Sequence, residues 1–207
     1  MSISPLDRRP PGRGDERRAA LLGALDDLLR DGVDLDEINV ADLSKRAGVT
    51  RSAFYFYFEN KEFAAAALMD EVYADAAEIT TALVGQAGTP RERIEATIRG
   101  LFDTLDRHLH LYKAMLDARG RHAGVRELWE RDRRSFVPLV ADMIRAERAS
   151  GTAAPGADPD ALAWVLLDLN DRAMERRARG DGPETDQHVE ALVSIWLRSI
   201  YGTGADA

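Results

Sequence analysis

An all-α protein is predicted, with an N-terminal three-helix unit that holds a helix-turn-helix and a C-terminal helical bundle, about nine helices in total. Three observations predict it. No stretch alternates apolar and polar residues at strand length, and no internal repeat is present. Apolar residues instead recur at helical spacing between glycine and proline breaks. Between Asn39 and Phe58 two short, capped helical patterns flank Gly48. The organisation expected is an arm over residues 1–14, a helix-turn-helix domain over 15–61 and a larger helical domain over 62–207.

The arm is rich in Pro, Gly and Arg and is expected to be disordered. It is either an inert tail or a source of arginines for phosphate or minor-groove contact. The first helix is expected from Asp15 to Arg30, striped by Leu21, Leu22, Leu25, Leu28 and Leu29 and ended by Gly32. Asn39 then caps a helix from Val40, with Asp42 in the first turn and Val40, Leu43 and Ala47 on one side. Gly48 is suited to the left-handed conformation that ends a helix, and Val49 can drop between the helices.

Thr50 caps the next helix, over residues 50–57. Phe54 and Phe58 share one face. Arg51, Ser52, Tyr55 and Phe56 share another, offering a guanidinium fork, a hydroxyl and a phenol, the groups that read base edges and phosphates. On its own this is equally an amphipathic helix with a wet aromatic edge. The capped helix and glycine turn before it favour a recognition helix.

Asn60 is the cap expected for a long helix to Val84, where Gly85 stops it; at 1.5 Å per residue it is roughly 35 Å long. Lys61 in its first turn opposes the helix dipole, which points to a nearby anion. Pro90 opens a helix to Arg107 with Ile94, Ile98, Leu101, Phe102 and Leu105 inward. A shorter helix covers Leu109 to Ala118, ended by Gly120. The next, Val125 to Ser150, is interrupted by Pro138, which predicts a kink or break near Ser135–Val137. Residues 151–159 read as a loop. The last helices run from Pro159 to Arg179 and from Glu184 to Tyr201.

Composition narrows the function classes. The chain has 207 residues, 45% of them hydrophobic, no cysteine and a net charge of −8. It has no apolar run of membrane-spanning length, no secretory signal, and neither disulfide nor thiolate metal site. A cytoplasmic protein fits these features. Residues 1–62 hold ten Lys/Arg against twelve Asp/Glu, a net −2. Distribution matters more than the sum. Arg8, Arg9, Arg13, Arg17 and Arg18 gather near the start, and Lys45, Arg46, Arg51 and Lys61 surround the short helices. Acids gather at Asp26, Asp27, Asp31, Asp34, Asp36 and Glu37.

Catalytic patterns are poor. His108 and His110 point apart on a helix, and Asp103 and Asp106 read as a solvated face. No phosphate loop, nucleophile elbow or His-Glu-x-x-His is present. No catalytic residue, cofactor or metal is expected. The bundle's apolar faces carry Phe102, Met115, Trp129, Phe136, Met143, Trp164 and Trp196, which read either as core or as the wall of a small-molecule pocket. Asn170 among them needs a partner if buried. Asp168 is solvent-facing, a dimer hydrogen bond or a selector for a cationic ligand, in that order. Asp171 and Arg172 read as surface or interface ion pairs.

The run Ala47-Gly-Val-Thr-Arg-Ser-Ala-Phe-Tyr-Phe-Tyr-Phe-Glu-Asn-Lys-Glu62 resembles the DNA-binding signature of TetR-family transcriptional repressors. Arg8-Arg-Pro, Ala146-Glu-Arg, Leu169-Asn-Asp-Arg172 and Ile195-Trp-Leu-Arg-Ser-Ile-Tyr-Gly202 resemble, in the same order, segments of the family's EthR-like subgroup. The resemblance implies a homodimer on double-stranded operator DNA, released by a small hydrophobic effector. Its implied DNA-binding residues are Lys45, Thr50, Arg51, Ser52, Tyr55, Phe56, Tyr57 and Lys61, the last on a phosphate. The ligand-binding residues expected are Phe102, Leu105, Met115, Trp129, Phe136, Leu139, Val140, Met143, Leu167, Asn170 and Trp196. Ile94 and Leu167 depart from the subgroup's aromatic and polar lining, so effector identity does not carry over. Val165, Leu169, Leu192, Ile195 and Ile200 are expected at the dimer interface, making residues 62–207 a ligand-binding and dimerisation domain. The alternatives are a ligand-independent DNA-binding regulator or activator and, more remotely, a helical enzyme.

Overall fold

The computed structural model describes residues 13–84 and 88–202, and these form ten α-helices and one 3-10 turn, with no strand among the described residues. By compactness the chain divides into two units, Met1–Leu68 and Met69–Ala207.

The first unit holds α1 (Arg13–Arg30), the 3-10 turn Leu35–Glu37, α2 (Val40–Arg46), α3 (Arg51–Tyr57) and the start of α4 (Lys61–Val84). Arg13 and Gly14 lie in α1, which corrects the expected arm boundary; Asp15 and Glu16 in the first turn favour the earlier start electrostatically. Residues 1–12, with Arg8 and Arg9, lie outside the described residues. Leu21, Leu25, Leu29, Leu43, Phe54 and Phe58 form the core. Asn39 accepts from the Ala41 amide at 2.8 Å, and Thr50 from the Ala53 amide at 3.2 Å. Between the two helices Gly48 takes φ +67°, and the Val49 amide reaches back to the Ser44 carbonyl at 2.9 Å.

The second unit holds the rest of α4, then α5 (Pro90–Arg107), α6 (Leu109–Arg121), α7 (Ala123–Arg134), α8 (Val137–Ala149), α9 (Pro159–Arg179) and α10 (Thr185–Tyr201). Thr89 and Glu92 cap α5 reciprocally: Thr89 Oγ1 accepts from the Glu92 amide at 3.2 Å and Glu92 Oε2 from the Thr89 amide at 2.8 Å. Glycine does not end α6 at Ala118 as expected. Gly120 continues the last turn, and the His122 amide closes it on the Ala118 carbonyl at 2.8 Å. The break before Pro138 falls at Ser135–Phe136, dividing the expected long helix into α7 and α8. Pro138 then sits in the first turn of α8, where a missing N–H costs nothing.

α8 packs on α9, α10 on α5 and α9, and α6 on α7. Ile94, Ile98, Phe102, Val140, Ile144, Leu166, Val193, Trp196 and Leu197 lie in the shared core. Among the described residues no helix is long and apolar enough to cross a membrane.

Candidate functional site

The first surface belongs to α3. Phe54 is fully buried and Phe58 nearly so, their rings 5.7 Å apart, and this fixes the helix by its inner face. The opposite face is left to solvent: Arg51 and Ser52 are exposed, Tyr55 is 48% exposed and Phe56 81%. The Arg51 guanidinium lies 5.6 Å from the Tyr55 ring centroid and 3.4 Å from its hydroxyl. That contact holds an arginine fork beside a phenol on one exposed edge. Lys45 and Thr50 are also exposed, and Tyr57 is half-buried.

Lys61 is placed differently from the expectation. Its ammonium donates to the Asp36 carbonyl and, at 3.0 Å, to the Ile38 carbonyl. The 3-10 turn therefore supplies the partner that the unfavourable helix position called for, in place of an outside anion. Asn60 caps α4 beside it, accepting from the Phe63 amide at 2.9 Å. Arg46, counted with the basic residues, lies 3.4 Å from Asp31.

The second site is a cavity of about 80 Å³ within the larger unit. Leu105, Trp129, Phe136, Leu167 and Asn170, all foreseen, lie on its wall. Met115 and Leu139 do not, and Phe102, Val140, Met143 and Trp196 are taken up by the core. Each of those four is 2% exposed or less. Trp196 still touches the wall indirectly, because its indole N–H donates to Asn170 Oδ1 at 3.1 Å. That bond satisfies the buried amide's oxygen.

Met69, Val72, Tyr73, Ala76 and Thr80 of α4 also line the cavity, a stripe at helical spacing visible in the sequence but passed over because α4 reads as a linker. So do Leu101, Thr104, Tyr112, Arg133, Asp171 and Met174. Asp171 is thus no surface ion pair. Arg133 Nε donates to Asp171 Oδ2 at 2.5 Å, and its Nη2 lies 3.2 Å from Asp168. Burial raises the Asp171 carboxyl to about 6, against the pull of Arg133. Burial, followed by the nearby Asp132 and Asp171 carboxylates, also raises the Tyr73 hydroxyl above its ordinary range. Asp168 keeps 62% of its side chain exposed, and Arg172, paired with Glu175 at 3.1 Å, keeps 65%.

Outside the cavity, Trp164, Val165 and Leu169 of α9 and Ile195 of α10 are large exposed apolar residues. Leu192 and Ile200, expected at an interface, are instead buried in the protomer's core at 5% and 2% exposure. They occupy the inner side of α10, whereas Ile195 lies on its outer side.

Residues 33–69 match the family model "Bacterial regulatory proteins, tetR family", and residues 94–202 match "Transcriptional regulator EthR, C-terminal domain". The chain is 36% identical over 194 residues to the HTH-type transcriptional regulator EthR of Mycobacterium tuberculosis, covering 91% of this chain and 89% of that protein. It is 32% identical over 213 residues to EthR of Mycolicibacterium smegmatis, covering 98% and 97%. Among solved structures it is similar to SmeT bound to triclosan, at TM-score 0.72 and 20% identity, covering 91% of this chain and 93% of that one. It is also similar to NalD of Pseudomonas aeruginosa, at TM-score 0.70 and 18% identity, covering 92% and 99%. These relatives are regulators of transcription, not enzymes. A helix-turn-helix whose second helix leaves one face exposed, a larger helical unit and matches spanning both place the chain in the TetR family of bacterial transcriptional regulators, among its EthR-like members.

Proposed function

We propose that the chain is a cytoplasmic homodimeric repressor that binds a palindromic operator and is released by a small hydrophobic effector. The observation that carries this reading is the exposed edge of α3, where Arg51, Tyr55 and Phe56 face outward from a helix anchored by Phe54. Arg51 reads a base edge or phosphate, and Lys45, Thr50, Ser52 and Tyr57 position the helix on the backbone. One such helix gives few contacts. Two, held about 34 Å apart by a dimer, read successive major-groove faces. The apolar outer sides of α9 and α10, with Val165, Leu169 and Ile195, are suited to form that dimer.

The effector occupies the cavity beside Leu105, Trp129, Phe136, Leu167 and Asn170. It releases DNA by preferring a conformation in which α4 carries the recognition helix out of register. SmeT and NalD are repressors too, each of a multidrug efflux pump.

The test is selection of genomic fragments on the purified protein, followed by footprinting, with Arg51→Ala and Tyr55→Ala alongside. A protected inverted repeat that both variants fail to hold is expected. Binding that survives both substitutions unchanged would overturn the assignment of α3. A thermal-shift screen of hydrophobic compounds, with each hit tested for release of the selected DNA, separates this reading from a ligand-independent regulator.

A further inference from the structure

Phe56 is the most exposed large apolar side chain among the described residues. A lone apolar ring on a surface would mean little. This one stands at the middle of the outward face of α3. At helical spacing, position 56 lies about 200° round the axis from Phe54, and Ser52 lies beside it one turn back. Phe54 is fully buried, so the Phe56 ring projects straight away from the core. Arg51 and Tyr55 hold one flank of the face, in contact with each other, and Tyr57 holds the other. The half-buried Tyr57 ring meets Phe56 edge to face, with centroids 5.0 Å apart, and steadies it.

A helix in the major groove turns its outermost side chains to the base edges and its flanks to the phosphate walls. The flanks of α3 suit those walls, with a guanidinium and two phenols. The ring does not suit them, because it has no group to donate to a phosphate. Over a guanine or adenine edge it would strip water from donors and acceptors and return no hydrogen bond. The apolar feature of the major groove is the thymine 5-methyl group. From this placement we infer that Phe56 packs on the 5-methyl of a thymine in each half-site of the operator, and so selects thymine there. This inference rests on the reading of α3 as a DNA-reading helix and names the base feature that its central side chain meets.

The test uses the duplex that the full-length protein selects and footprinting delimits. It is synthesised with uracil in place of thymine at one symmetry-related pair of positions at a time. Uracil lacks the methyl and keeps every hydrogen-bonding group of thymine. Affinity is read by fluorescence anisotropy at fixed salt. At one pair, uracil is expected to weaken wild-type binding about fifteenfold, about fourfold for each methyl lost. Phe56→Ala should bind the thymine duplex more weakly and, at that pair alone, should no longer distinguish thymine from uracil. A second measurement needs no variant and stands even if Phe56→Ala binds no duplex. With 5-iodouracil at the same pair, where iodine replaces the methyl, irradiation should crosslink the wild-type protein at Phe56, identified by mass spectrometry of the joined peptide. Equal wild-type affinity for thymine and uracil at every pair overturns the inference and leaves α3 standing as a DNA-reading helix. A thymine preference that persists unchanged in Phe56→Ala, or a crosslink that never falls on Phe56, does the same. Failure of the wild-type protein to select any fragment overturns the DNA-reading assignment, and this inference with it.

Discussion

The two units dispose of their aromatic residues differently. In the first, a helix of seven residues buries Phe54 completely and leaves Phe56 81% exposed two positions later. In the second, Trp129 and Trp196 retain 3% and 2%. The difference lies in what each ring needs next. An exposed ring leaves apolar area in water, open to something outside the chain. A buried indole must place its N–H, and the two do so unequally: Trp196 gives its proton to Asn170, whereas Trp129 finds no acceptor among the described residues. The first unit leaves its apolar surplus on α3, and the second leaves its own on the outer sides of α9 and α10.

The sharpest test of that contrast is within α3. Phe54→Ala removes a fully buried ring and should cost about 3–5 kcal/mol, with loss of the first unit's cooperative unfolding and of DNA binding. Phe56→Ala should change stability by no more than about 0.5 kcal/mol. Thermal unfolding followed by circular dichroism separates the two. Comparable losses would mean that Phe56 packs within the protein, and the outward reading of α3 would fall.

In the second unit, Trp196→Phe should cost about 2 kcal/mol. It leaves the Asn170 oxygen buried without its donor and opens a small void. Chemical denaturation of the isolated variant measures this. A loss below about 0.5 kcal/mol would show that the bond is readily replaced. Arg51→Ala belongs to the opposite class. It should leave unfolding unchanged and weaken binding to a footprinted operator by about 1–3 kcal/mol, read by fluorescence anisotropy at fixed salt.

What the sequence made legible follows the same division. The caps at Asn39 and Thr50, the glycine turn and the split at Pro138 are local, each decided within a few residues, and all are present. The cavity wall is not local. Whether Phe102 or Leu105 meets it depends on which side of α5 turns to α10 and which to α4, and nothing in the stripe itself distinguishes them. That Leu192 and Ile200, expected at an interface, are buried in the core was not legible for the same reason. Tyr73 was missed because α4 was read for its length and not for the stripe from Met69 to Thr80. Lys61 was read without the 3-10 turn whose carbonyls receive it.

The smallest effect concerns protons, and it sets an exposed carboxyl against a buried one. Glu92, exposed at the α5 cap, is held below its ordinary range by hydrogen bonds from Thr89. Its contribution to stability is therefore present at neutral pH and lost on acidification. Asp171 runs the other way. Burial raises it from 3.8 to about 6, although Arg133 opposes the shift. Between about pH 4 and pH 6 the native state then binds more protons than the unfolded chain, so this group's contribution falls as pH rises and levels off above. Because a fifth of the Asp171 side chain remains accessible, solvent tempers the effect to on the order of 1 kcal/mol. Asp171→Asn removes the titration and keeps the shape. The unfolding free energy of the wild-type protein minus that of the variant should therefore decline from pH 4 to pH 6. A difference that instead grows over this range would show that the Arg133 ion pair outweighs desolvation, and that the polar wall of the cavity is a stabilising pair whose two charges persist to acid pH.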